Sequence, residues 1–153
     1  MNVLNQNARP NFTTITRREA SIFACAVDAL LAPEPELPPV DSTTTATGFD
    51  NWLAASPVIN RQAVRAGLYV LELAPRLSGY GGRFRQLDRQ TRREFLSPGD
   101  RRRPVWIAAL VDTLRMLAAA VYYGDDSVAL SLGYDADARL KRGRELRADE
   151  DRP

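Results

Sequence analysis

The sequence predicts an all-α fold: a single-domain bundle of five or six helices around one apolar central helix. Three features carry that prediction. No segment alternates apolar and polar residues with the period of two that a half-buried strand requires. Apolar residues instead recur at steps of three and four in several stretches separated by Pro, Gly and Asp. The third feature is the stretch from Val105 to Tyr123, where Asp112, Thr113 and Arg115 are the only clearly polar side chains. Trp106, Leu110, Leu114, Leu117 and Val121 keep helical spacing there, and Ile107, Val111 and Ala118 widen the stripe over most of the circumference. A helix apolar nearly all round is a buried one. Asp112 and Arg115 cut it into uncharged runs well short of the roughly 18 residues a membrane span needs. This stretch is therefore expected to be the core helix, opened at Pro104 and ended by Gly124 in the left-handed conformation.

The other elements follow in order. Residues 1–15 are polar and unpatterned and read as a flexible arm. Thr16-Arg17-Arg18-Glu19 has the form of a capping box, in which Thr16 caps the amide three residues on and Glu19 reaches back. The helix it opens runs to about Leu31, with Ile22 or Phe23, Val27, Leu30 and Leu31 inward. Ala32 to Thr45 reads as a loop, because four prolines and a Thr-rich run oppose a helix. A short helix around Gly48 to Ala55 presents Phe49, Trp52 and Leu53. Ser56-Pro57, a cap followed by proline at the first helical position, starts a third helix reaching Leu77 or Ser78. Its Val64, Leu68, Leu71 and Leu77 are expected to face the core, and Pro75 to kink or end it.

Ser78 to Phe84 is glycine-rich but lacks the lysine and hydroxyl residue of a phosphate-binding loop, so it reads as a tight connection. Asp88 caps a short helix to Phe95 or Leu96, with Leu87, Thr91 and Phe95 on one side and Arg89, Arg92 and Arg93 on the other. Ser97-Pro98-Gly99-Asp100 then breaks the chain. After the core helix, Asp125 or Asp126 caps a turn of helix carrying Val128, Leu130 and Leu132, stopped by Gly133. Twelve of the last 19 residues are charged, too polar to offset their own ordering entropy. The helical domain is thus 16–135, and residues 136–153 read as a disordered tail.

Composition narrows the chemistry. The 153 residues contain no histidine and one cysteine, which excludes an internal disulfide, the usual zinc sites, and Ser-His or Cys-His catalysis. Cys25 sits among Phe23, Ala24, Ala26 and Val27 and reads as a structural cysteine. The acidic residues are scattered, so no catalytic, metal or cofactor-binding residue is assigned, and the chain reads as a binding module rather than an enzyme. The net charge of +2 conceals an asymmetry: residues 76–103 hold nine arginines against three carboxylates. Twenty of the 21 basic residues are arginine, a side chain that pairs bidentately with carboxylate or phosphate. That leaves two partner classes, another protein or a nucleic acid. Against the second, the helix of Arg89, Arg92 and Arg93 lacks the base-reading side chains of a recognition helix. Arginine and aromatic residues are the types enriched at protein interfaces. The candidate partner contacts are therefore Arg83, Phe84, Arg89, Arg92, Tyr122, Tyr123 and Tyr134. Each tyrosine could equally pack inside with its hydroxyl satisfied. Arg17-Arg18 makes a poor twin-arginine export signal, since Asp28 interrupts the apolar stretch and no small-residue cleavage site follows. The cytoplasm is the expected compartment.

Several pieces, in this order, resemble the small (third, or gamma) subunit family of gluconate 2-dehydrogenase. They are Thr16-Arg17-Arg18-Glu19 with its helix through Asp28-Ala29-Leu30-Leu31, the proline-rich loop, and Leu71-Glu72-Leu73-Ala74-Pro75. Arg83-Phe84 with Leu87-Asp88 follow, then Tyr122-Tyr123-Gly124-Asp125 and Leu132-Gly133-Tyr134-Asp135. The resemblance spans residues 15–135. It implies a non-catalytic helical subunit that supports the maturation or stability of a flavin-dependent oxidoreductase of the glucose–methanol–choline class. The FAD would be bound by that partner and not by this chain. Exported members of the family carry a twin-arginine signal, whereas Arg17-Arg18 here lies inside the first predicted helix.

Overall fold

The chain is described by a computed structural model over residues 11–31, 38–99, 105–135, 138 and 140–142. Among these residues there are six α-helices and one 3-10 turn, and no strand. The first helix, α1 (Arg17–Leu31), opens as its sequence predicts. The Thr16 backbone N–H donates to Glu19 Oε2 at 2.7 Å, and the Glu19 N–H donates to Thr16 Oγ1 at 3.2 Å. Three more helices start on an aspartate whose carboxylate accepts an otherwise unpaired amide. Asp41 opens α2 (Ser42–Ala55), accepting from the Thr44 N–H at 2.6 Å. After α3 (Val58–Leu77) and a 3-10 turn over Phe84–Gln86, Asp88 opens α4 (Arg89–Leu96) by accepting from the Thr91 N–H at 3.0 Å. The long α5 (Val105–Tyr123) is followed by α6 (Asp126–Ser131), which Asp125 caps through the Ser127 N–H at 2.9 Å.

The bundle has a central helix, but it is α1 rather than α5. It packs against α2, α3, α4, α5 and the 3-10 turn. Its buried side chains Ile22, Phe23 and Val27 are interspersed with Ala20, Ala24, Ala26 and Ala29, whose small size lets neighbours approach from several sides. Phe23 stacks on Phe49 of α2 with ring centroids 3.8 Å apart. By contrast α5 is one-sided. It buries Ile107, Val111, Leu114, Leu117, Ala118 and Tyr122, while Met116 is 75% exposed and Asp112 and Thr113 face outward. Its nearly uniform apolar sequence conceals this, because alanine and methionine tolerate exposure. No helix among the described residues is long and apolar enough to cross a membrane.

Two glycines sit at close approaches. A Cβ on Gly67 would lie 2.7 Å from Leu110 Cδ1, the movable end of a side chain on α5. A Cβ on Gly124 would lie 2.6 Å from the Ala120 carbonyl oxygen, and Gly124 is not among the glycines with positive φ. The expected left-handed ending of α5 is thus replaced by steric exclusion. Gly79, Gly81 and Gly133, with φ of +83°, +77° and +75°, make the left-handed reversals instead.

Other expectations are corrected. The helix expected from Gly48 starts at Ser42, because Asp41 supplies a cap that outweighs the weak helix propensity of the threonines. Ser56 does not cap α3; its hydroxyl donates back to the Trp52 carbonyl and closes α2, leaving Pro57 at the start of α3. Leu77 is 81% exposed rather than inward. Pro75 lies within the last turn of α3 without ending it there. The arm is not free over its final residues. The buried Asp50 carboxylate accepts from the backbone N–H groups of Thr13, Thr14 and Ile15 at 2.8, 2.8 and 2.9 Å, and Ile15 is buried. Residues 1–10 and most of the 136–153 tail lie outside the described residues.

Candidate partner-binding surface

Three arginines of the arginine-rich segment, Arg85, Arg89 and Arg92, are drawn into the fold, while Arg76, Arg83 and Arg93 are exposed. Glu72 of α3 is fully buried, and its carboxylate accepts from Arg85 Nε at 3.0 Å and from the Arg85 backbone N–H at 3.2 Å. Arg18 adds a contact at 3.8 Å. A second fully buried carboxylate, Glu19, accepts from Arg65 Nε at 2.8 Å. Burial by itself pushes the Glu19 pKa up, but the bonds from Arg65 and Thr16 hold it below the ordinary glutamate value. On α4, Arg89 pairs with Asp28 at 3.1 Å. Arg92 donates to the Leu87 carbonyl at 3.0 Å and to the Cys25 carbonyl at 3.5 Å. Arg92 therefore folds toward α1 instead of sharing an outer basic face. Among the candidate arginines, Arg83 is exposed beside the 3-10 turn, and Arg89 and Arg92 are structural ties between α4 and α1.

The aromatic candidates divide in the same way. Phe84 is fully buried near Phe95, with ring centroids 6.3 Å apart, so it cannot touch a partner. Tyr122 is buried as well, and its hydroxyl donates to the Pro38 carbonyl at 2.5 Å. Burial, then the neighbouring Tyr123 and Asp125, raise its pKa, which keeps the phenol protonated as that bond requires. Both are core residues. Tyr123 and Tyr134 remain about half exposed, at 47% and 50%.

Local geometry brings those two together. Gly124 and the Asp125 cap turn the chain directly from α5 into α6, and Gly133 reverses it again. The Tyr134 N–H then donates to the Ala129 carbonyl at 2.9 Å. The result is a hollow of about 480 Å³ lined by Tyr123, Gly124, Ala129, Leu130 and Tyr134, with Asp126 and Asp135 also on its lining. Leu130 and Leu132 are exposed on the same short helix and turn. An apolar, aromatic centre with acidic groups suits a protein surface that is apolar with basic residues around it.

A second concavity, of about 490 Å³, runs between α1 and the start of α2. Phe12, Ala20, Ala24, Val40 and Ala46 form apolar walls, and Cys25 and Arg92 also line it. Sequence reasoning missed it because Phe12 and Val40 lie in stretches without periodicity and α2 was expected to start later. Burial raises the Cys25 thiol pKa despite the cations of Arg92 and Arg85, so the thiol stays protonated and is a poor nucleophile. Among the described residues no cluster of His, Cys, Asp or Glu is placed to hold a metal ion.

No protein-family model, no curated protein and no solved structure matches this chain.

Proposed function

We propose that this chain is a non-catalytic small subunit that binds and stabilises a flavin-dependent oxidoreductase of the glucose–methanol–choline class. The observation that carries a protein-binding role is the exposed hollow of Tyr123, Leu130 and Tyr134. Large apolar and aromatic groups left at the surface, with polar groups around them, are the usual anchors of interfaces. The choice of partner rests on the motif order from Thr16 to Asp135, which resembles the gluconate 2-dehydrogenase small subunits. FAD then belongs to the partner, and this chain contributes surface and no chemistry.

Co-expression with any flavoprotein oxidoreductase of that class encoded beside it is the test. A stable complex carrying FAD is expected, while the chain alone is colourless and without dehydrogenase activity. Tyr123→Ala combined with Tyr134→Ala should weaken capture about tenfold or more, as loss of interface anchors does. The same preparation is titrated with duplex DNA at two salt concentrations. No recovered flavoprotein, together with salt-sensitive DNA binding lost in Arg83→Glu and Arg93→Glu variants, would replace this reading with a nucleic-acid one.

A further inference from the structure

Helix α3 is apolar on two faces. Its inner face puts Leu68, Leu71, Ala74 and Pro75 into the core, with Val64 half-buried beside them. Its outer face carries Ile59, Ala63, Ala66, Val70, Leu73 and Leu77, all exposed, with Ile59 at 76%. These residues follow one another at steps of four, three, four, three and four, the spacing of a helix–helix seam. Surface helices ordinarily show one apolar stripe and a charged opposite face. Among the exposed residues of α3, Arg76 is the single charge.

The order of side-chain sizes along this seam says what fits it. Run antiparallel against itself, Ile59 faces Leu77, Ala63 faces Leu73, and Ala66 faces Val70. The two inner layers then pair a small residue with a larger one, so the helix axes can stay evenly spaced. Run parallel, the seam stacks every residue on its own copy, so the two alanine layers pinch between Ile59 on one side and Val70, Leu73 and Leu77 on the other, and the axes cannot stay evenly spaced. Charge agrees with size. Arg76 lies on one flank of the seam, and antiparallel pairing sets it beside the neutral Gln62 of the same flank. A surface complementary to itself under a twofold rotation is what a symmetric dimer requires. We propose that α3 packs antiparallel on α3 of a second copy of this chain, about a twofold axis level with Leu68. This interface is separate in sequence from the Tyr123–Tyr134 hollow and does not depend on its role.

Sedimentation velocity of the full chain, over a wide concentration range, tests the proposal. A monomer–dimer equilibrium is expected, and Val70→Glu should weaken it about a hundredfold or more, since two carboxylates then enter one apolar seam. Val70 lies on the outer face, so the variant should keep the circular dichroism of the parent, and Ile59→Glu provides a second such variant. A spin label at Asn60→Cys, in a Cys25→Ser background, reads direction. Antiparallel packing sets the two labels roughly 24 Å apart along the axis, and parallel packing about 10 Å apart. A chain monomeric at every concentration, a dimer unaffected by Val70→Glu and Ile59→Glu, or labels at the shorter distance would each overturn the proposal. So would loss of flavoprotein capture in Val70→Glu with the parent chain monomeric, which would give this face to the other protein. Tyr123→Ala with Tyr134→Ala should leave the dimer intact, so failure of the subunit reading and failure of the dimer are read separately.

Discussion

Buried carboxylates decide much of this structure at the level of single residues. Asp50 is the sharpest case, since one carboxylate holds three consecutive backbone amides and the Thr13 hydroxyl. Asp50→Ala would leave the buried Ile15 amide without an acceptor and release Phe12 from the core edge. A loss of about 3 kcal/mol is expected in denaturant titration, together with faster hydrogen exchange at Thr14 and Ile15. A loss below about 1 kcal/mol would mean that solvent replaces these bonds freely. The Glu19 half of this chemistry was legible in the sequence, because the Thr16–Glu19 spacing names its own partners. The Asp50 half was not. Its acceptors' partners lie more than 30 residues upstream, in a stretch that carries no periodic signal. The candidate site divides likewise: Tyr123 and Tyr134 were identifiable as aromatics near a helix end, but nothing local marks Tyr122 or Phe84 as buried. Pro38, the acceptor for Tyr122, is 84 residues away, and Phe84 sits beside a glycine-rich turn where no face can be read.

Helices show where local rules suffice and where tertiary contacts override them. Aspartate caps predict the starts of α4 and α6, and the Thr16 box predicts the start of α1. The early start of α2 runs against threonine propensity and is settled by the Asp41 cap together with burial of Thr45 and Ala46. Identifying the central helix needed more than pattern, since four buried alanines in α1 give weak contrast and exposed alanines in α5 mimic core. The contact between α3 and α5 makes a direct prediction. Gly67→Val should cost about 1–3 kcal/mol by overpacking Leu110, and Leu114→Ala about 2–5 kcal/mol by opening a cavity in α5's buried face. Thermal unfolding monitored at helical ellipticity checks both. Unchanged stability of Gly67→Val would show that the Leu110 side chain moves aside at no cost.

For the molecule as a whole, the buried carboxylates Glu19 and Asp50 tie folding to pH. Burial raises each, yet donated hydrogen bonds bring both below their ordinary values. Their unfolded values are about 4.3 and 3.9. A group whose folded pKa is depressed stabilises the fold above its unfolded pKa and loses that contribution as pH falls through the folded one. Stability should therefore be flat above about pH 5 and drop steeply below about pH 4, with a shallower slope in Glu19→Gln. A Glu19→Gln variant with the parent's acid profile would show that Glu19 does not carry the effect.

The position of the central helix also has a consequence in time. The residues that α1 buries find their walls later in the chain, and α5, one of those walls, ends roughly 90 residues after Leu31. At a synthesis rate of about 5–20 residues per second, that interval lasts on the order of 5–20 s. Throughout it α1 is outside the ribosome without the α5 surface that will pack on it. The helix most enclosed in the finished fold is made before the elements that enclose it, so a nascent-chain chaperone would meet it at α1.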